Sequence, residues 1–556
     1  MQCNLVVRRK RLDMTEEIVF VRRATGLVRQ IGVLSVMSIC FVFTFLGAHI
    51  TPFYAILEYP GSNVPLTYVL APIMMMWSMF SAMFLVGAMP RTSNDYVAVS
   101  RTLHPILAYM GSIGMFLAIV PWVAGATMFG LLLLGNGFST IGQAVGNAGW
   151  IDIGALLVAN QPAIFALILI AIVIYFIISV LGLNVTTKVI NAVFIFYIIG
   201  MALGLIVFAW YAAQGPAAVA ASYDASFGTG AWKEVERVAM ANGWSDMVKE
   251  ATGDSSIWGW PGPWLWGATG LALIPAAFAV WGYEIANVAG GEIKEPLKSY
   301  PIGAGLAFLV MSIFMIAYNA LVFWGYGSFI SQFSYVMING FSDQLTMSPV
   351  VQPSLSFFAV APFAKSSPIL AFIVMLSISA AWLAVPIIYL LILSRMMLAW
   401  SFDRFGPGFF ASVNDRFHTP HWSLLIVSII GALYAYAFVY APYITLLNSL
   451  PGALIRYLLL SMACMILPFA RPEIFERGFT WKVGKVPLAT IVGAISTVML
   501  TFLIVVNFTL LANDWPSIFY QVGWISFAAL VFIAYWAYNK SKGIDVAAIW
   551  KEIPPA

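Results

Sequence analysis

The feature that most constrains this chain is its succession of apolar runs, each about as long as a lipid bilayer is thick. A helix needs roughly 20 apolar residues to cross the hydrocarbon core. Twelve segments qualify: 31–58, 65–89, 106–135, 162–183, 187–213, 264–291, 300–330, 366–400, 421–442, 444–470, 486–511 and 515–538. No water reaches that depth, so each run must satisfy its own backbone groups, which predicts an all-α integral membrane protein of 12 transmembrane helices. Composition agrees. Of the 556 residues, 62% are hydrophobic and 9% charged, with a mean hydropathy of +0.91, whereas a soluble domain is about one quarter charged.

The basic residues test that count. With a cytoplasmic N-terminus, twenty-two of the 27 lysines and arginines fall on the inner side: seven before residue 30, twelve in or beside the connections after even-numbered spans, and Lys540, Lys542 and Lys551 in the tail. The outer side holds Lys233, Arg237, Lys249 and Lys365, and Arg456 lies inside a span. This asymmetry predicts both termini in the cytoplasm and a multi-pass protein of the cell (plasma) membrane. The net charge of +4 therefore reflects topology and gives no sign of nucleic-acid binding.

The organisation follows: a basic segment 1–30, five spans over 31–213, an outer loop 214–263, five spans over 264–470, two further helices with their loop over 471–538, and a tail 539–556. The outer loop carries six acids against three bases, and its AWKEVERVAM stretch places Trp232, Val235 and Ala239 along one face of a short helix. It reads as a passive cover or a moving lid. Three cysteines and four histidines show no metal-ligand spacing, and no nucleotide-binding loop, nucleophile elbow or zinc-protease helix is present. An enzyme is not expected, nor a cofactor. A channel would need a continuous polar stripe, and a receptor usually an output domain, for which the tail is too short.

Two spans are interrupted. In the first, Gly47 permits unwinding, and Thr51-Pro52 reads as an N-cap followed by the first residue of a second half-helix. In the sixth, Phe278-Ala279-Val280-Trp281-Gly282-Tyr283-Glu284 puts a glycine and an acid deep in the run. Irregular backbone at depth is tolerated only where protein or a cavity satisfies it. The breaks lie five helices apart, and an odd offset reverses direction. Two five-helix units would then form a 5+5 inverted repeat with discontinuous helices 1 and 6 facing each other, the arrangement of a secondary transporter's mid-membrane site. The second half of span 1 would present free N–H groups of residues 48–51, and the first half of span 6 free carbonyls near 278–281. Such a cavity suits an α-amino acid or related amine. Its expected lining is Gly47, Ala48, His49, Ile50, Thr51, Phe278, Ala279, Trp281 and Gly282.

These residues also resemble a family, the amino acid–polyamine–organocation (APC) transporters, which share the fold of the bacterial leucine transporter. WGYEIANVAGGEIKEPLKSYP (281–301) looks like the family's glycine–aromatic stretch leading into E-E/G-E-I-K-x-P. MPRTSNDYVAVSRTLHP (89–105) and SRMMLAWSFDRFGPGFFASVNDRFHTP (394–420) are similar to its motifs after spans 2 and 8. Together they cover the first ten spans. The resemblance implies a permease working by alternating access. Two departures stand out. The first break reads Gly47-Ala48-His49 where the family has a third small residue, and Tyr197 falls where some proton-coupled relatives carry a lysine.

Ionisable groups inside spans are costly and point to function. Glu284 and His49 are the candidate proton carriers, with Arg456 a counter-charge for Glu284. Ser377 and Ser379 with span-1 carbonyls offer the alternative, an oxygen-lined sodium site. The expected function is a proton-coupled secondary transporter of amino acids or amines, with sodium coupling or exchange as alternatives.

Overall fold

The computed structural model describes residues 25–45, 47–441, 450–510 and 514–554. The basic residues from Arg8 to Arg23 and the start of the expected tenth span lie outside them. The described chain is almost wholly helical. Its strands are one antiparallel pair, Lys482–Val483 with Val486–Pro487.

Local chemistry sets many helix ends. Proline occupies the first turn of Val64–Ala88, Pro105–Ile119, Gln161–Val180, Pro296–Tyr326, Pro368–Phe402 and Trp515–Ser541. A missing N–H costs nothing there, and φ is already helical. Asn63, Asn160 and Asp514 accept N–H bonds from the first turns they precede.

Among the described residues ten helices are long and apolar enough to cross a membrane. These make the chain a multi-pass membrane protein. The expected first and sixth spans are absent from that set because each is cut into shorter pieces: Val33–Phe45 and Thr51–Glu58 in one case, Trp266–Ala279 in the other. The expected third span runs further than 135. Helices Pro105–Ile119 and Trp122–Val145 follow one another across Val120-Pro121, and a further helix, Ala148–Ala159, folds back on the second. Gly135 and Gly154 permit that approach, since a Cβ on Gly135 would come within 2.9 Å of the Gly154 carbonyl oxygen.

Burial grades outward from one central helix, Pro368–Phe402, almost fully buried over its second half. By contrast Gln161–Val180 shows Ile170, Val173, Ile174 and Ile177 on its surface, an apolar exposure suited to lipid. The halves of the chain interlock. Val33–Phe45 packs on Pro296–Tyr326 and Leu183–Ala213, while Pro368–Phe402 packs on Trp122–Val145 and Leu183–Ala213.

The loop after residue 213 forms three short helices, Pro216–Phe227, Ala231–Ala241 and Trp244–Thr252. Val235 and Ala239 of the second are buried, and Trp232 stacks on Phe329 at 3.8 Å between ring centroids. Glu234 fastens this cover. Its carboxylate accepts from the backbone N–H groups of Thr346, Met347 and Ser348 and from the Thr346 hydroxyl.

Candidate substrate site

The two interruptions meet. After Val33–Phe45 the chain makes a 3-10 turn, Gly47–His49, before the helix Thr51–Glu58. After Trp266–Ala279 the backbone turns through Gly282, at φ +101°, and continues as a 3-10 segment, Ile285–Glu292. Gly47 faces Ala279 so closely that a Cβ on it would sit 3.0 Å from the Ala279 Cα. A Cβ on Gly282 would run into the Phe43 ring. Both glycines are therefore required by close approach, and Gly282 also by its left-handed backbone.

Two local expectations need correction. Thr51 does not cap the second half-helix. It is the first helical residue, and Ile50 stands at the cap position without a side-chain bond. The Thr51 hydroxyl instead donates to the Gly47 carbonyl at 2.9 Å and pairs with the Tyr68 hydroxyl at 2.5 Å, tying the break to the next helix. Nor are all the N–H groups of 48–51 released, because Ile50 N–H donates to Gly47 O at 3.2 Å. The tight 3-10 turn takes back part of what unwinding frees. At the second break Val280 and Trp281 N–H groups reach back to the Ala277 and Phe278 carbonyls at 3.3 and 3.4 Å. The longer of these is weak.

Against this junction lies a cavity of about 660 Å³, its open mouth included. Gly47, Ile50, Thr51, Phe278 and Trp281 line it; Ala48, His49, Ala279 and Gly282 do not. The remaining wall is Phe43, Thr44, Ile119, Trp122, Phe129, Trp382 and Tyr389. None of these twelve lining residues is charged. Phe278 stacks on Trp281 at 5.4 Å, and Phe43 bridges Trp281 and Tyr389 at 5.7 and 5.6 Å, so one wall is a continuous aromatic surface.

His49 turns away from the cavity. Its Nε2 lies 2.7 Å from the Tyr197 hydroxyl on Leu183–Ala213. One turn along that helix Gly200 packs against Ser377. The Ser377 and Ser379 hydroxyls donate within their own helix, to Val374 O at 2.7 Å and Met375 O at 2.9 Å.

Glu284 is fully buried and stands outside the cavity lining, beneath the second break. Its Oε1 is 3.4 Å from Arg456 Nη1. Sequence reasoning missed the shorter partner: Arg456 Nε donates to Asp95 Oδ2 at 2.7 Å, and Nη2 to Asn287 Oδ1 at 3.0 Å. Asp95 belongs to the buried helix Asn94–Thr102 in the first of the quoted family-like stretches after span 2. Two more buried pairs occupy the same end of the molecule. Arg101 grips Asp403 with two bonds of 2.5 and 2.8 Å, and Arg395 grips Glu292 with two of 2.9 and 2.8 Å. Of the seven charged residues in these groupings, all but Arg456 sit in the three stretches that carry the family resemblance.

Comparison with known proteins fits this geometry. Residues 31–534 match the family model described as amino acid permease. Over 271 residues the chain is 27% identical to the methylthioribose transporter of Bacillus subtilis (strain 168), a match covering 48% of this chain and 51% of that protein. The chain thus spans about half the length of that curated relative. With the family model covering nearly the whole described chain, the protein belongs to the amino acid permease family of the APC superfamily.

Proposed function

We propose that the protein is a secondary transporter that moves an amino acid or related amine with a large apolar side chain across the plasma membrane by alternating access. The observation that carries this reading is the uncharged, aromatic-lined cavity set against two touching helix breaks. Twelve helices, the first ten as a five-plus-five inverted repeat, would supply the moving halves, with both termini and the three arginine pairs at the cytoplasm. The half-helix ends supply partial charges of opposite sign for carboxylate and ammonium. The apolar wall then selects the side chain, since a charged one would enter the cavity unpaired.

A second reading takes its motive from the same lining. A neutral thioether compound, such as the methylthioribose that names the relative, would also face no charged group and would lie against the aromatic wall. Counterflow into proteoliposomes separates the two. Phenylalanine, leucine, lysine, glutamate and methylthioribose are offered in turn, with and without sodium and at two pH values. Preference for phenylalanine and leucine is the expected result; exchange of lysine or glutamate in preference to them would overturn the apolar assignment.

Coupling by protons rests on charge. One buried cation, Arg456, serves two buried carboxylates, Asp95 and Glu284. The excess negative charge is one that a proton can neutralise, and Glu284 at 3.4 Å is the more loosely held partner. Glu284→Gln should abolish accumulation driven by an imposed pH gradient while leaving counterflow intact. Accumulation that survives this change, or that requires sodium in the wild type, transfers the role to Ser377 and Ser379 with carbonyls of the first span.

A further inference from the structure

Beyond the last long helix, Trp515–Ser541, the chain reverses at Gly543, at φ +76°, and Asp545 accepts the N–H groups of Ala547 and Ala548 to start a short helix, Val546–Lys551. This segment lies against the buried arginines. Val546 and Ile549 are buried, and Trp550 stacks on Phe532 and leans on Phe405 at 6.0 and 5.5 Å. Three arginines hold its backbone. Arg101 donates to the Ile549 and Glu552 carbonyls at 3.3 and 3.1 Å, Arg471 to Lys551 O at 2.9 Å, and Arg91 to Pro554 O at 2.6 Å.

Those arginines come from separate parts of the fold. Arg91 and Arg101 flank or belong to the Asn94–Thr102 helix of the first half, Arg471 opens the loop that follows the second, and the Arg101 partner Asp403 and the Trp550 neighbour Phe405 belong to the second. The segment therefore ties the halves together across the same helix whose Asp95 holds Arg456. We propose that residues 543–554 act as a releasable strap that keeps this face of the transporter shut, and that its detachment precedes opening toward the cytoplasm. The inference rests on the alternating-access reading only for its consequence in transport; the holding itself is a property of the resting structure.

The strap's grip is suited to release. Its contacts with the three arginines are all made by its backbone carbonyls, none of the ion pairs among the described residues involves it, and Trp550 is its one aromatic anchor, beside buried Val546 and Ile549. Backbone carbonyls paired to guanidinium groups exchange readily for water once the apolar anchor lifts. Arg101 keeps Asp403 when the strap leaves, so the buried charge stays compensated.

The test uses the full chain, Trp550→Ala, and a chain ended after Lys542, each purified and reconstituted. Hydrogen exchange of residues 94–102 should become about tenfold faster in both variants, and phenylalanine counterflow about threefold faster. A synthetic peptide of residues 543–554, present on the face that bears the arginines, should return the shortened chain to the slow rate. Exchange at the full-chain level in Trp550→Ala overturns the strap, as does faster exchange with unchanged counterflow. If no protein transports phenylalanine yet exchange quickens, the strap stands and the substrate assignment falls. Should the shortened chain fail to fold, Trp550→Ala carries the same comparison alone.

Discussion

The two ends of the molecule are closed by different chemistry. One end holds three buried arginine–carboxylate groupings, Arg101–Asp403, Arg395–Glu292 and Arg456 with Asp95 and Glu284. The other is covered by short helices stacked through aromatic rings, with the Glu234 carboxylate accepting from the N–H groups of 346–348. Between them lies a cavity whose lining carries no charge. Buried ion pairs are directional and all-or-none: intact they fix a register, and with one partner removed they leave an uncompensated charge. Aromatic cover gives way gradually, contact by contact. The charged end should therefore behave as a two-position latch, and the aromatic end as a compliant lid.

The largest expected effect is at the latch. Arg456→Met strands Asp95 and Glu284 in the interior and should cost about 3–5 kcal/mol of stability, read as a lowered midpoint of thermal unfolding in detergent. The comparison sharpens if Asp95→Asn with Glu284→Gln restores the midpoint on the Arg456→Met background. If Arg456→Met alone leaves the midpoint unchanged, the charged end is no latch.

Next comes the junction between the ends. Gly47→Val places side-chain carbon where Ala279 Cα already stands, 3.0 Å from the new Cβ. Overpacking of this kind costs about 1–3 kcal/mol, and here the strain falls on the contact between the two breaks. Counterflow should disappear while the variant still elutes as a single species. Retained exchange would show that the breaks need not touch during transport. The Gly47 reading changes in the process. Free access to the peptide N–H groups is a lesser part of its role than the approach of one broken segment to the other.

That shift illustrates what the sequence could and could not reveal. Run lengths and first-turn prolines made the helices legible, because both act within a few residues of the chain. Gly47, Thr51-Pro52 and Gly282 marked the breaks for the same reason. The partner of each break was not legible at the level of contacts: Thr51 reads as a cap until Tyr68 is seen to share its hydroxyl. Arg456 could be matched to Glu284 on grounds of depth, yet its closest carboxylate, Asp95, lies 361 residues away and looks in sequence like part of a solvated loop. The rest of the cavity wall was hidden for a statistical reason. Aromatic residues make up 15% of the chain, so Phe129, Trp382 and Tyr389 carry no local signature that sets them apart from packing residues.

A middle-sized effect probes that wall. Phe129, which packs on Trp382 at 5.3 Å, lines the cavity. Phe129→Ala should weaken phenylalanine about tenfold, near 1.4 kcal/mol, and leave alanine nearly unaffected, as judged by competition in counterflow. Equal weakening of both would place the side-chain site elsewhere and erase the contrast between an apolar middle and a charged end.

The smallest effect belongs to the lid and concerns the Glu234 carboxylate. Burial alone would raise the Glu234 pKa, but bonds from the Thr346 hydroxyl and the N–H groups of Thr346, Met347 and Ser348 outweigh it and hold the group below the ordinary glutamate value. A carboxyl whose folded value is depressed contributes stability that is present above its unfolded value and is lost as pH falls through the folded value. The loss therefore belongs to the acid side of about pH 4.5, and neutral solution keeps the bond set whole. Near the solvent-facing surface the contribution is screened to about 1 kcal/mol. Hydrogen exchange of residues 342–348 should accordingly quicken as pH falls from 6 toward 3, after correction for intrinsic rates. In Glu234→Gln it should be faster at pH 6 and no longer change with acid. A wild-type lid whose protection is flat over that range would mean the aromatic stacks alone hold it, and the contrast between the two ends would be complete.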